Sequence, residues 1–278
     1  MTRIAFRKMH GLGNDFVVLD QRHDPVRIDA AAARALADRH TGIGCDQLLL
    51  LEPPRNPGAQ VFMRILNPDG SEAEACGNGT RCVASLVADE SGRRELVIET
   101  AAGLLPASID AAGIATVAMG GPRIGWRDIP LSREMDTLHV DLRRGPLADP
   151  VCTNMGNPHA TFFVDDAEVI DLAALGPELE HHTLFPVRAN IGIAQVRDRH
   201  TIRFRVWERG AGITRACGSG ACAAMVAAHR RDLVGERVTV MLDGGNLDIA
   251  WPGNGSVLMS GRVALSFEGT FDAALIGG

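Results

Sequence analysis

Short apolar runs separated by polar or Gly-containing turns dominate the chain. "FVVLD" (16–20), "QLLLLE" (47–52), "VFMRIL" (61–66), "RELVIET" (94–100) and "GIATVAM" (113–119) predict strands in the first half. "TFFVDD" (161–166), "ANIGIAQV" (189–196), "TIRFRVWE" (201–208), "RVTVML" (237–242) and "NLDIAW" (246–251) do so in the second. Apolar residues recur at helical spacing in "DAAAARALADRH" (29–40) and "VIDLAALGPELE" (169–180). Two further helical runs, "NGTRCVASLVADE" (78–90) and "SGACAAMVAAHRR" (219–231), are apolar on nearly all faces. That pattern predicts helices buried inside each half rather than laid on its surface. Gly92 is placed to end the first, and Arg230 and Arg231 suit the dipole at the end of the second. The stretch 121–150, with Gly, Pro and many charges, is the expected crossing between halves.

The two halves repeat one another. "RILNPDGSEAEACGNG" (64–79) aligns without a gap on "RVWERGAGITRACGSG" (205–220), an offset of 141 residues that superposes Cys76 on Cys217. Upstream the offset is 143: "GNDFVVLD" (13–20) parallels "GNPHATFFVDD" (156–166), and Gln47 corresponds to Asn190. Such spacing excludes a short-period solenoid and indicates a duplicated domain. The fold class expected is mixed α/β (α+β mixed sheets) in two pseudo-symmetric domains.

Composition adds limits. With 278 residues, 46% hydrophobic and 22% charged, the chain is long enough for two cores and ordinary for a soluble protein. A net charge of −6 without a basic cluster argues against a nucleic-acid partner. The first residues lack a signal-peptide core and no run reaches membrane-spanning length, so a cytoplasmic protein with no membrane association is expected. The six cysteines, Cys45, Cys76, Cys82, Cys152, Cys217 and Cys222, are then free thiols. Lys8 is the only lysine, which confines any Schiff-base chemistry to that position.

The chemistry concentrates at two cysteines. Cys76/Cys82 and Cys217/Cys222 lack the paired, tight spacing of zinc ligands, and no CxxC redox motif occurs. Cys45, Cys82, Cys152 and Cys222 read as packing residues. Cys76 and Cys217 each precede Gly-x-Gly where a helix is expected to begin. Exposed N–H groups and the positive helix end there favour an anion, a thiolate or a substrate carboxylate. Two thiols on duplicated halves could face one another and act on opposite faces of a carbon stereocentre, one removing the α-proton and the other returning one. The backbone N–H groups of Gly77, Asn78, Gly218 and Ser219 would hold the carboxylate, and Glu208 would pair with the substrate ammonium. Two buried structural thiols at tight turns, in a protein that binds an amino acid or senses redox state, are the competing reading.

Taken together, "MHGLGNDFVVLD", "GCDQLLLLE", "NPDGSEAEACGNGTRC", "GNPHATFFVDD", "RANIGIAQV" and "ERGAGITRACGSGACAA" resemble the diaminopimelate epimerases, over nearly the whole chain. The resemblance implies a two-base epimerase without cofactor or metal that interconverts LL- and meso-diaminopimelate. It implies two domains, each a curled, barrel-like sheet around a central helix. The first would comprise 1–120 plus a returning 263–278, and the second 121–262. Cys76 would be the proton donor and Cys217 the acceptor in the LL-to-meso direction. Asn14, Gln47, Asn67, Asn157 and Asn190 would be polar substrate contacts. Gly77, Asn78, Gly218 and Ser219 would form the backbone anion sites, Glu208 and Arg209 would meet the reacting centre and a carboxylate, and His159 would tune the site. Proline racemases and 4-hydroxyproline epimerases are the alternative within the same superfamily. The family departures are Cys45 for a usual Phe, Ile213 for a usual Glu, and Phe267 for a tyrosine associated with a homodimer contact.

Overall fold

The apolar runs at 16–19, 48–51 and 190–194 form strand segments buried at every residue, whereas those at 94–100 and 237–242 bury alternate residues. In the computed structural model, which describes residues 2–277, β1 (Arg3–Gly11), β2 (Asn14–Asp20), α1 (Ala30–Ala37), β3 (Gln47–Glu52), β4 (Val61–Leu66), β5 (Glu72–Ala73), α2 (Gly77–Ser91), β6 (Glu95–Thr100), β7 (Gly103–Ile109) and β8 (Ala115–Ala118) follow one another. β2 and β3 are parallel, β3 and β4 antiparallel, β4 and β6 parallel, and β6 to β8 a meander. Alternate residues of β3 explain its unbroken apolar run. Leu48 and Leu50 join Leu36 of α1 in one core. Leu49 faces the other way, where a Cβ on Gly79 of α2 would stand 3.1 Å from it. A strand sandwiched between helices has no polar face to show.

The second set repeats the first. After a short hairpin, β9 (Arg143–Arg144) with β10 (Leu147–Ala148), come β11 (Val151–Asn154), β12 (Pro158–Phe163), α3 (Leu172–Glu180), β13 (Asn190–Asp198), β14 (Thr201–Glu208), β15 (Gly212–Ile213), α4 (Gly218–Arg230), β16 (Arg237–Leu242), β17 (Gly245–Ala250) and β18 (Leu258–Gly261). Their pairings follow the same scheme: β12 parallel to β13, β13 antiparallel to β14, β14 parallel to β16, then β16 to β18. The register is conserved residue for residue. Phe16 pairs with Gln47, and 143 positions on, His159 pairs with Asn190. Leu48 pairs with Leu66, and Ile191 with Trp207. The drop in offset from 143 to 141 therefore lies in the β3–β4 connection, which is two residues longer than its counterpart.

The two compact units are Met1–Val117 with Gly261–Gly278, and Ala118–Ser260. The last strand, β19 (Ala264–Asp272), returns to the first unit and pairs antiparallel with β1, from Arg3 opposite Asp272 to His10 opposite Ala264. In the second unit, α4 is buried at every residue from Gly220 to Ala228 and packs against strands of that unit on all sides. α2 is likewise buried from Asn78 to Ala84 and again over Leu86–Ala88. The expectation of central helices holds, and it accounts for their alanine and small-residue content.

Some boundaries differ from the sequence expectation. α1 stops at Ala37, because the Asp38 carboxylate turns to accept the N–H groups of His40 and Thr41. α3 starts at Leu172, capped by Asp171. β12 begins at Pro158, so His159 lies on a strand. Arg231 is the C-cap of α4 rather than part of its last turn. The stretch 121–150 is not a bare crossing: Ile129, Leu131, Val140, Leu142 and Leu147 are buried in the core of the second unit with Phe162, Ile191 and Ile193.

Candidate active site

Each half caps its buried helix with a thiol. N-cap positions normally carry Ser, Thr, Asp or Asn, whose oxygen accepts an N–H of the first turn. α1 and α3 follow that rule with Asp29 and Asp171. α2 and α4 do not: Cys76 Sγ accepts the Gly79 N–H and Cys217 Sγ the Gly220 N–H, both at 3.4 Å. Gly79 and Gly220 are required there. A Cβ on Gly220 would stand 3.1 Å from Cys217 Sγ and 3.1 Å from the Phe204 ring. The N–H groups of Gly77, Asn78, Gly218 and Ser219 open the two helices, where no intrahelical acceptor exists and the dipole favours negative charge.

The other four cysteines are buried packing residues, as the sequence indicated. Burial pushes the Cys45 thiol up to about 11, and those of Cys82 and Cys152 up to about 12. Among the described residues, no group of three or more His, Cys, Asp and Glu side chains gathers where a metal could be held.

The first unit holds two amide pairs, one of them at the capped end of α2. Asn78 Nδ2 donates to Asn14 Oδ1 at 3.0 Å, and Arg81 donates to Asn78 Oδ1 at 2.9 Å. Asn14 Nδ2 in turn donates to Asp46 at 2.9 Å. Gln47 Nε2 donates to Asn67 Oδ1 at 2.9 Å, and Asn67 Nδ2 to Ser71 Oγ at 3.0 Å. Asp46 belongs to an ion network with Arg39, Asp15 and Lys8. Burial opposes ionisation of Asp15, but bonds from Arg39 and Lys8 outweigh it and hold its carboxyl well below the usual range. The lone lysine is thus a buried structural cation, bonded to Asp15 and to the Gly44 carbonyl.

In the second unit one equivalent position carries a carboxylate and another an imidazole. By register, Asn14, Phe16, Gln47 and Asn67 correspond to Asn157, His159, Asn190 and Glu208. His159 is 1% exposed, and its Nε2 lies 2.7 Å from Asn157 Oδ1 and 3.2 Å from Ser219 Oγ. An amide oxygen only accepts, so Nε2 carries the proton. Burial, with Arg209 nearby, lowers His159 to about 3, so the imidazole is neutral at physiological pH. Ser219 Oγ is 3.6 Å from Cys217 Sγ. Cys217 also bonds the Glu208 carboxylate, which accepts from Thr214 Oγ1 as well. Burial and then the Glu208 charge push the Cys217 thiol well above its ordinary value. Asn190 Oδ1 accepts the Arg209 N–H at 2.9 Å while its Nδ2 donates to the Pro158 carbonyl. Arg209 donates to the Val187 carbonyl at 2.9 Å.

Asp46, Thr214 and Glu180 were not anticipated. Asp46 follows Cys45 directly and could have been sought as the acid before Gln47. Thr214 and Glu180 carry no motif of their own, and only the tertiary fold brings them to Glu208 and Trp207.

The family model described as diaminopimelate epimerase matches residues 6–125 and 151–266. A diaminopimelate epimerase from Rhodospirillum centenum is 63% identical over 273 residues, covering 98% of this chain and 94% of its own. Those from Acidiphilium cryptum and Gluconobacter oxydans are 57% and 53% identical, over 98% and 96% of this chain and 97% and 98% of theirs. Among solved structures, a phenazine biosynthesis protein of the PhzF family from Bacillus anthracis superposes with a TM-score of 0.71 at 16% identity, over 98% of this chain and 99% of its own. A hydroxyproline epimerase from Agrobacterium vitis superposes at 0.68 and 16%, over 96% and 92%. At that identity the structures speak for the shared fold alone. The sequence relatives speak for more: with over half of the residues kept along nearly the full length of three such enzymes, this chain belongs to the diaminopimelate epimerase family.

Proposed function

We propose that this protein epimerises one α-carbon of diaminopimelate, interconverting the LL and meso forms, with Cys76 and Cys217 as its two acid/base groups. The observation that carries this reading is that a thiol, in place of the usual oxygen cap, opens each of two equivalent buried helices. Inversion needs a base on one face of the α-carbon and an acid on the other. In the LL-to-meso direction the Cys217 thiolate takes the α-proton and forms an S–H bond, and the C–H electron pair passes into the substrate carboxylate. The Cys76 thiol then gives its proton to the opposite face and becomes the thiolate. The reverse direction exchanges the roles.

The carbanion is the energetic obstacle, since an α-proton is far less acidic than a thiol. Helix-start N–H groups of Gly77, Asn78, Gly218 and Ser219 stabilise the charge that gathers on the carboxylate. Glu208 pairs with the α-ammonium and keeps it protonated beside the reacting carbon. The same pairing removes the negative charge that raises the Cys217 thiol, so substrate binding itself eases formation of the thiolate. Neutral His159 holds Asn157 and Ser219 in place without adding a charge next to the thiol.

The amides of Asn14, Gln47, Asn67, Asn157 and Asn190, with Arg209, suit a substrate with two amino-carboxylate ends. Proline and 4-hydroxyproline have one such end and leave most of these groups unused. Chiral chromatography after incubation with LL-diaminopimelate, proline and 4-hydroxyproline tests this: the meso isomer should form fastest, and faster turnover of proline would overturn it. Reactive thiols that must stay reduced fit a cytoplasmic enzyme. We also infer a homodimer formed through β19, where Leu265 and Phe267 are 51% and 50% exposed. Phe267 supplies exposed apolar area on that strand, and replacing it with Asp should give a monomer in sedimentation.

A further inference from the structure

Glu180, the last residue of α3, carries a carboxylate that is only 4% exposed and lies outside the chemistry described above. Three donors from two segments converge on it. Trp207 Nε1 donates to Oε2 at 2.7 Å, the Gly210 N–H to Oε1 at 3.0 Å, and Arg188 to Oε1 at 3.3 Å. Trp207 and Gly210 flank Glu208 and Arg209, the residues assigned to the substrate ammonium and carboxylate. The approach of α3 is built for this contact: a Cβ on Gly176, one turn before Glu180, would lie 2.5 Å from the Trp207 ring. Asn190 holds the same turn from another side through the Arg209 N–H.

We propose that Glu180 is a positioning residue for substrate recognition, its buried carboxylate clamping both ends of the Trp207–Gly210 turn and so fixing where Glu208 and Arg209 point. An ionised carboxylate only accepts, which suits three converging donors. Glutamine of the same shape would have to aim an N–H at one of them. This inference rests on the function proposed above for Glu208 and Arg209.

The test compares wild type with Glu180→Gln and Trp207→Phe, measuring kcat, KM and thermal midpoint with LL-diaminopimelate. Losing a bond to a charged acceptor that places a substrate-binding turn should raise KM about 10-fold in Glu180→Gln, with a smaller fall in kcat. Trp207→Phe keeps the carboxylate on Gly210 and Arg188 and should raise KM less, about 3-fold; it carries the comparison if Glu180→Gln does not fold. KM within about twofold of wild type in a folded Glu180→Gln overturns the inference, whatever the thermal midpoint does. Amide exchange by NMR gives a readout independent of substrate. The Gly210 N–H and Trp207 indole N–H should be protected in wild type and lose protection in Glu180→Gln, and equal exchange in both proteins overturns the clamp. Wild type without activity on diaminopimelate would instead overturn the functional reading, and the exchange result would still decide the clamp.

Discussion

Cys76 and Cys217 are interchangeable with serine in size but not in acidity. Cys76→Ser and Cys217→Ser should each fold normally by circular dichroism and lose turnover, because a hydroxyl ionises too weakly to exchange the proton. Near-wild-type turnover in either contradicts the two-thiol scheme. His159 offers a different test. Its folded pKa, about 3, lies below the ordinary 6.5, so below pH 6.5 the unfolded chain binds a proton that the folded chain refuses. The unfolded state is then favoured progressively as pH falls from 6.5 towards 3, by up to about 1.4 kcal/mol per unit. Urea denaturation at pH 7 and pH 5 should show about 2 kcal/mol of this loss in wild type and its absence in His159→Gln. An identical pH dependence in both would contradict the burial argument. Both cysteines were legible because each repeats the other in a Gly-flanked setting. Glu180 and Thr214 were not, since a single polar residue on a helix or turn carries no signal until the fold supplies its partner.

Among the elements, the double-sided strands and buried helices were legible because sandwiching erases polar alternation and leaves continuous apolar runs. β1 and β19 were harder. β1 alternates exposed Arg3, Ala5 and half-exposed Arg7 with buried Ile4, Phe6 and Lys8, and β19 is exposed over Leu265–Glu268. Helix ends were misjudged where an Asp side chain, not a Gly or Pro, made the break, as at Asp38 and Asp171. The fit between β13 and β14 gives a stability test. A Cβ on Gly192 would lie 2.6 Å from the buried Phe204 ring, which also bounds the start of α4 beside Gly220. Gly192→Ala should destabilise by about 1–3 kcal/mol in chemical denaturation, the usual cost of overpacking. An unchanged midpoint would show that this layer yields more easily than the geometry implies.

The whole molecule is a duplication whose copies have diverged in charge while keeping register. One unit sets amides, held by Asp46 and Arg81, beside its thiol-capped helix, and the other a carboxylate, a guanidinium and a buried imidazole. The repeat showed in the sequence through its offsets. The divergence was visible as residues but acquired meaning only when the strand register matched Asn67 to Glu208 and Phe16 to His159. The C-terminal strand adds a long-range dependence. Removing residues 264–278 would strip β19 from β1 and uncover Phe6, which packs on Phe267 and Phe271, so the truncated chain should fail to give a cooperative thermal transition. Epimerisation by two thiols also leaves a signature that no single base can produce. Early in the reaction of LL-diaminopimelate in D2O, NMR should show deuterium at the inverted α-carbon of the meso product while the remaining substrate stays unlabelled. Product that keeps the original proton would mean one group both removes and returns it, and would contradict the assignment of Cys76 and Cys217 as separate acid and base.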